Sequence, residues 1–470
     1  MSKSLFKLVA IALCVFGLIT CTQNFSINSV GVRSASAQPA EFQIWWSQGF
    51  LPEENEMISQ LVSQWEQATG LKARLTLLPS NILIEETQKA LEIGRPPDIV
   101  FSPDGDTNLF PKLAWNNQLA DVTPILAPIK SQFAPISLEA VSYQNKTTQK
   151  RSYYAVPLGE STVYIHYWKD ALERANLEAN ELPADWNAFW NYWERSQQNL
   201  LALGEPKMYG IGLCMSALGT DTSWGFEQFL EAYNARLLDE NGQLLLDRPE
   251  VRSGIIAALE QYSRFYQQGY VPPESTEWRD SSNNISFLDS DIVMTANSTL
   301  SIPLTQQHPP NPYNQKSNDL YFNKIATTHW PLKPDGRPLP SILSVKQAVV
   351  FAASPHQEAA FSFLSYLLQP KNLNQLLVVG NKGRFLPVMP SLLENEFWNN
   401  PNDPHLTAAT EIINQPTRAS YPVYHPAYSQ VISQNLWAKA LLEIVNQKAT
   451  PEAAADRTIA EIKTIFANWQ

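Results

Sequence analysis

The chain has 470 residues, which at roughly 100 to 200 residues per domain implies two or three folding units and a large buried interior. Its formal charge is −11 and its isoelectric point lies near 5.2, with no cluster of lysines or arginines, so no nucleic-acid partner is expected. Tryptophan is abundant at 14 residues; several, such as Trp224 and Trp278, fall in loop-like settings, although core filling is the default role of any one of them.

Residues 1–21, MSKSLFKLVAIALCVFGLITC, place Lys3 and Lys7 before an apolar run, the build of an export signal. That run is too short and wrongly flanked to span a bilayer. Leu18-Ile19-Thr20-Cys21 resembles a bacterial lipobox, with Thr20 where that pattern carries Ala, Gly or Ser, and the resemblance implies lipidation of Cys21. Ala35-Ser36-Ala37 offers a second, soluble-type cleavage site. A Ser/Asn-rich linker is expected over residues 22–40, and no later run is long enough to cross a membrane, so the mature chain is expected to be at most tethered. Of three cysteines, Cys14 lies in the signal and Cys21 at its end. Cys214 is therefore left without a disulfide partner, and a small buried hydrophobe is its expected role over a nucleophile.

Phe42-Gln43-Ile44-Trp45-Trp46 reads as a strand ending at Ser47-Gln48-Gly49. Residues 54–69 carry Met57, Ile58, Leu61, Val62, Trp65 and Ala68 at helical spacing, with Gly70 as C-cap, and residues 71–78 read as a second strand. This is the opening βαβ unit of an α/β sheet. A helix over residues 82–92 leads to Asp98-Ile99-Val100-Phe101, a buried parallel strand whose end, residues 102–108, is rich in turn formers and polar groups. Ligands in open α/β sheets sit at the carboxyl ends of strands, so residues 47–50 and 102–108 are the loops of interest. Asp104 and Asp106 are equally suited to capping the next helix or turn.

Residues 154–170, YAVPLGESTVYIHYWKD, run from an apolar stretch through Pro157 and Gly159 into a β-branched, aromatic strand, the pattern of a chain crossing between two lobes. The polar turn Gly159-Glu160-Ser161-Thr162 would sit at that crossing. Further on, the pattern predicts a helix starting at Pro183 or Asp185, a strand over 209–214, a helix over 224–233 and a short edge strand over 244–246. It then predicts a helix over 251–267 stopped by Gly269, and a loop feeding a strand over 287–294. Residues 303–340, with His308 and His329, read as mostly loop; 347–353 as a strand; 355–369 as a helix; 383–387 and 421–428 as compact loops. The tail is helical, with Thr450 as N-cap and Pro451 at the first helical position, and residues 344–351 read as a return crossing.

A P-loop, G-x-G-x-x-G, G-x-S-x-G and H-E-x-x-H are all absent from the sequence, and the six histidines lack metal-ligand spacing. A glycosidase needs two carboxylates facing across a cleft, which Glu160 and Asp104 could supply. Polar loops and aromatic residues without a nucleophile motif are at least as well explained by binding. No metal or cofactor is expected.

The chain resembles the sugar-binding extracytoplasmic solute-binding proteins of ABC importers, the class that contains maltodextrin-binding protein. Ile44-Trp45-Trp46-Ser47 followed by Trp65-Glu66-Gln67-Ala68-Thr69-Gly70 is similar to the family's first strand and its "F-E-x-x-T-G" helix end. Pro97-Asp98-Ile99-Val100 matches "P-D-I-V", and Leu119-Ala120-Asp121-Val122-Thr123-Pro124 matches "L-x-D-L-T-P". The crossing ends Tyr167-Trp168-Lys169-Asp170 where the family has "Y-N-K-D"; Pro183-Ala184-Asp185-Trp186 resembles "P-x-T-W", and Ser290-Asp291-Ile292-Val293-Met294 is a degenerate "G-x-A-A-M". The ordered succession carries the resemblance, over nearly all of residues 42–470.

The resemblance implies an α/β chain with the two-lobed periplasmic-binding-protein fold of type II, a ligand cleft between the lobes and hinge crossings. Lobe 1 would be residues 41–155 and 346–388, and lobe 2 residues 156–345 and 389–470. Carried over, the ligand-binding residues would be Trp46, Ser47, Gln48, Ser102, Asp104, Asp106, Glu160, Ser161, Trp224, Asn297, Ser298, Arg384, Phe385 and Tyr428. Aromatic faces would cover the apolar side of a pyranose, and carboxylates and amides would pair with hydroxyls. Arg384 would equally serve a phosphate or carboxylate. The resemblance implies a monomer that delivers a sugar or polyol to ABC permease subunits, touching the membrane only through its lipid. A secreted carbohydrate-active enzyme and a ligand-binding sensor subunit are the competing expectations.

Overall fold

The computed structural model describes residues 41–205, 208–307 and 315–469; the signal (1–21), Cys21, the linker (22–40) and His308 lie outside the described residues. β1 (Gln43–Ser47), β2 (Arg74–Leu78) and β3 (Ile99–Ser102) run parallel with β1 in the middle, joined by the helices α1 (Pro52–Thr69) and α2 (Ser80–Glu92). α1 buries Met57, Ile58, Leu61, Val62 and Trp65, and stops at Gly70, whose φ of 75° is the left-handed C-cap that glycine adopts without strain. β4 (Ser142–Asn145) and β5 (Lys150–Tyr153) form a separate hairpin.

β6 (Val156–Ser161) and β7 (Tyr164–Trp168) follow one another but belong to different sheets. The second sheet has the order β10-β7-β9-β8, with β8 (Tyr209–Gly212), β9 (Ile292–Asn297) and β10 (Ile325–Thr328). β11 (Ser341–Val350) returns to the first sheet, pairing with β3 on one side and β6 on the other, while its first three residues pair with β12 (Thr417–Ala419). The result is a mixed α/β chain of two lobes.

Register brings particular strand ends together within each sheet. Ser102 stands opposite Gln347 and Ser161 opposite Ser344, so the ends of β3 and β6 share an edge with the early part of β11. In the second sheet Tyr164 stands opposite Asn297 and Thr295 beside Gly212, which brings the start of β7 and the ends of β8 and β9 together. The chain crosses at residues 162–163 and returns through 329–340. Thr162 Oγ donates to the Ile342 carbonyl at 2.9 Å, and Trp330 Nε1 to the Val163 carbonyl at 2.9 Å, which clasps the two passages.

Most expected elements lie within a few residues of their predicted bounds, and Thr450 accepts a hydrogen bond from the Ala453 amide as the predicted N-cap. The departures are tertiary in origin. β6 was expected in lobe 2, yet it hydrogen-bonds to β11 in the first sheet. The edge strand at 244–246 reduces to one bridge between Leu238 and Leu244. β10 lies inside the stretch expected to be mostly loop, held by its pairing to β7. Residues 421–424 form a helical turn in place of a loop.

The tryptophans largely fill the second lobe's core. The helix Trp186–Ala202 buries Trp186, Trp190 and Trp193, and Trp190 packs with Phe229 and Phe265 at centroid distances of 5.1 and 4.9 Å.

Candidate functional site

On the first-lobe edge, β3 ends at Ser102 and the chain turns through Asp104 into the single-turn helix Gly105–Asn108. Asp106, 2% exposed, accepts hydrogen bonds from Ser344 Oγ at 2.9 Å and the Val345 amide at 3.2 Å. Lys346 reaches the same place, donating to Ser344 Oγ at 2.7 Å and to the Pro103 carbonyl at 3.1 Å. Burial pushes the Asp106 carboxyl up to about 6 against the pull of Lys346 and Ser344, and burial lowers Lys346 in turn. The second oxygen of Asp106 is buried with no hydrogen-bond partner among the described residues.

Strand parity sorts the crossing. Residues paired across antiparallel strands share a face, so Ser161, opposite Ser344, stands on the face of Asp106 and Lys346. Glu160, opposite Val345, stands on the other face, where it accepts from Ser137 Oγ at 2.6 Å. Burial raises Glu160 to about 7, with Ser137 opposing the shift. Ser161 Oγ and the Tyr164 hydroxyl are both buried without a hydrogen-bond partner among the described residues.

The second-lobe edge is built by the helix Asp221–Ala232 and by the short helices Tyr421–Tyr424 and Tyr428–Ser433, both of which pack against Gly105–Asn108. Asp221 is raised well above the ordinary carboxylate range by burial, then by Asp280 and by Asp104 of the opposite lobe. Its Oδ2, Ser223 Oγ, both side-chain atoms of Gln228, Ser420 Oγ and Ser429 Oγ are buried without hydrogen-bond partners among the described residues. Buried polar groups are normally satisfied, so a run of unsatisfied hydroxyl, amide and carboxyl groups along the facing edges marks a place where a polar ligand or water completes the bonding. Glu227 and Glu231 from the same helix brace Arg418, whose Nε meets Glu231 at 3.0 Å.

The other residues singled out in the sequence are dispersed. Trp46 stacks on Phe101 at 4.1 Å, and with Ser47, Lys346 and Phe385 it borders a small space of about 20 Å³, room for a single water. Gln48 is exposed on the loop after β1, and Ser102 is fully buried. Asp104 is exposed and accepts from Ser80 Oγ at 2.9 Å, which replaces the helix-capping role with a bridge to α2. Trp224 is half-buried in the first turn of its helix. Asn297 donates to the Thr299 carbonyl and Ser301 Oγ, shaping its own loop, and Ser298 beside it is half-buried. Arg384 forms a two-pronged ion pair with Glu54 at 2.9 and 2.6 Å and lies over Phe385, which is 2% exposed. Tyr428 is wholly buried, donating to Glu227 at 2.9 Å.

Sequence reasoning did not single out Ser344, Lys346, Asp221 or Gln228. A lysine inside the apolar run of β11 was a visible signal; the aspartate at a helix start was not, because it reads as an N-cap. Cys214 is 6% exposed, and burial pushes its thiol up to about 12, which keeps it protonated and unreactive. Among the described residues, no group of three His, Cys, Asp or Glu is placed to hold a metal ion. The edges thus supply acceptors and small donors suited to holding a polar small molecule between two lobes.

Known proteins place this arrangement. No curated protein sequence matches the chain. Its structure is similar to an ABC-transporter solute-binding protein from Thermotoga lettingae bound with α-D-tagatose, with 19% identity and a TM-score of 0.69 over 91% of this chain and 100% of that one. It is similar to the sugar-binding protein MalE from Xanthomonas citri, with 19% identity and a TM-score of 0.66 over 91% and 98%. It is also similar to UgpB from Mycobacterium tuberculosis in complex with glycerophosphocholine, with 16% identity and a TM-score of 0.69 over 92% and 99%. Residues 60–408 match the family described as bacterial extracellular solute-binding protein, and the chain belongs to that family.

Proposed function

We propose that this solute-binding protein captures a sugar or related polyol between its lobes and delivers it to the transmembrane subunits of an ABC permease. The observation that carries this reading is the set of buried side-chain atoms without a hydrogen-bond partner among the described residues, namely one oxygen of Asp106, the Ser161, Ser223 and Ser429 hydroxyls and the Gln228 amide. A polyol presents alternating hydroxyl donors and acceptors, which is what mixed carboxyl, amide and hydroxyl groups pair with. The solutes named for the similar structures, a ketose and a glycerol phosphodiester, point the same way. Trp224, half-buried at the second-lobe edge, is the aromatic suited to a sugar's apolar face. Lobe closure would turn on the clasped crossings, with residues 41–161 in lobe 1 and residues 164–328 in lobe 2.

The protein works outside the cytoplasm as a monomer, held to the membrane by a lipid on Cys21, and performs no chemistry on its solute. Cys21→Ala should release it from the membrane fraction; retention there would remove the anchor from the reading.

Thermal melting across a saccharide and polyol panel, with product analysis of the same samples, tests the main claim. A solute at a hundredfold excess over its Kd should stabilise the fold by about 2.7 kcal/mol and remain chemically intact. Turnover that disappears in Asp104→Asn or Asp221→Asn would overturn binding in favour of an enzyme, and no response to any sugar or polyol would overturn the solute class.

A further inference from the structure

Three carboxyl groups converge at the second-lobe edge of the cleft. Asp221 opens the helix Asp221–Ala232, Asp280 lies in the loop before the helix Ser282–Leu288, and Asp104 turns out of β3 in the opposite lobe. Asp280 and Asp104 both act electrostatically on Asp221. Resting on the polyol reading of the cleft, we propose that the solute carries a positive charge, as an amino sugar or another ammonium-bearing polyol, and that Asp221, Asp280 and Asp104 receive its ammonium group.

The three carboxyl groups have only neutral donors. Asp280 accepts from the Thr220 amide at 2.5 Å and Thr220 Oγ at 3.2 Å, and Asp104 accepts from Ser80 Oγ at 2.9 Å. Asp221 Oδ2 is buried with no hydrogen-bond partner among the described residues. Neutral donors satisfy hydrogen bonds without balancing charge. Among the described residues no lysine or arginine forms an ion pair with any of the three, Arg279 beside Asp280 included. Lys346 is drawn to Asp106 before Asp104, and Arg418 is held by Glu227 and Glu231, so neither is left to balance Asp221 and Asp280.

A second feature points to a ligand at the same place. Trp224 and Gln228 stand three and seven residues after Asp221 in its helix, so the three share one face. Gln228 is 0% exposed, and both polar atoms of its side chain are buried without a hydrogen-bond partner among the described residues, which leaves an amide for a solute hydroxyl. Trp224 is half-buried, and its ring meets no other ring and no cation among the described residues. An open indole face beside carboxylates is the chemistry that holds an ammonium group. Burial, then Asp280 and Asp104, raise the Asp221 carboxyl well above the ordinary range, so the free protein keeps a proton there that an arriving ammonium displaces.

The test titrates the intact protein calorimetrically with matched sugars: glucosamine, galactosamine and mannosamine, each against its neutral hydroxyl parent and its neutral N-acetyl form. The expected result is at least tenfold tighter binding of one amine than of either neutral counterpart, a preference that shrinks as sodium chloride is raised. Asp280→Asn, at an exposed side chain whose amide oxygen can keep the bond from the Thr220 amide, should fold normally and cut that preference; Asp221→Asn should abolish it. In buffers of different ionisation enthalpy at pH 6, the wild type should release a proton on binding the amine and Asp221→Asn should not. Neutral sugars bound as tightly as their amines, or an amine preference unchanged in both variants, would overturn the inference and leave the polyol reading standing. Silence from every sugar in the set would remove the two together.

Discussion

Glu160 and Ser161 are neighbours in the chain and point to opposite faces of the same strand, Glu160 to Ser137 and Ser161 to the side of Ser344 and Asp106. Only one of them faces the row of unpartnered groups.

Ser161→Ala should therefore weaken solute binding, by roughly tenfold for a lost hydrogen bond of about 1.4 kcal/mol, with little change in the melting temperature of the free protein; Asp106→Asn should weaken it too and also lower that temperature, because it removes the carboxylate that faces buried Lys346. Glu160→Gln should leave the Kd within about twofold, well under 1 kcal/mol. Isothermal titration of the three variants decides the matter, and a Glu160→Gln variant that loses binding while Ser161→Ala keeps it would reverse the assignment of faces.

Glu160 should instead show itself in pH. Its carboxyl is raised from 4.5 to about 7 by burial, so between those values the folded chain holds a proton that the unfolded chain has released. Stability contributed by this group is full below about 4.5, falls as pH rises through about 7, and is level beyond. The whole effect is on the order of 3 kcal/mol. Glu160→Gln should melt higher than the wild type at pH 8 and show a flatter profile between pH 4.5 and 7, read by calorimetry across that range.

Arg384 and Glu54 form an ion pair at side chains 11% and 10% exposed. Arg384→Ala should strand a buried carboxylate and destabilise by about 3 to 5 kcal/mol, and adding Glu54→Gln should recover a large part of the loss. Denaturant titration of the single and double variants measures both steps. An Arg384→Ala variant that melts normally but fails to bind solute would show that the arginine serves the ligand.

Asp221 carries a buried oxygen with no hydrogen-bond partner among the described residues and is opposed by Asp280 and Asp104. Asp221→Asn should raise the melting temperature of the free protein at pH 8 while weakening solute binding. A lower melting temperature at that pH would mean that the carboxylate is a structural anchor.

Much of the first lobe was legible because its signals are local: the 3.6-residue stripe of α1, Gly70 at its end, and the apolar run before Ser102 each declare themselves within a few residues. The site was less legible because parity and partnership are set at a distance. Which side Glu160 takes depends on its pairing with β11, which shifts register between Lys346 and Gln347, and the partner of Arg384 lies 330 residues away. A loop arginine and a crossing glutamate look like ligand contacts until those partners are known. Asp104 and Asp106, indistinguishable by sequence, diverge because one projects to Ser80 at the surface and the other beneath Ser344.

Trp330 is anchored at both ends: its Nε1 holds the Val163 carbonyl of the crossing, and its ring packs on Trp190 and Phe229 at 6.0 Å each. The crossing is thus fastened to the interior of one lobe, whereas Thr162 reaches the other passage through a single hydroxyl. Like a door leaf fixed to its frame on one side only, the joint is lopsided, with its stiff half carried by the second lobe and its bending left to the side nearer Thr162.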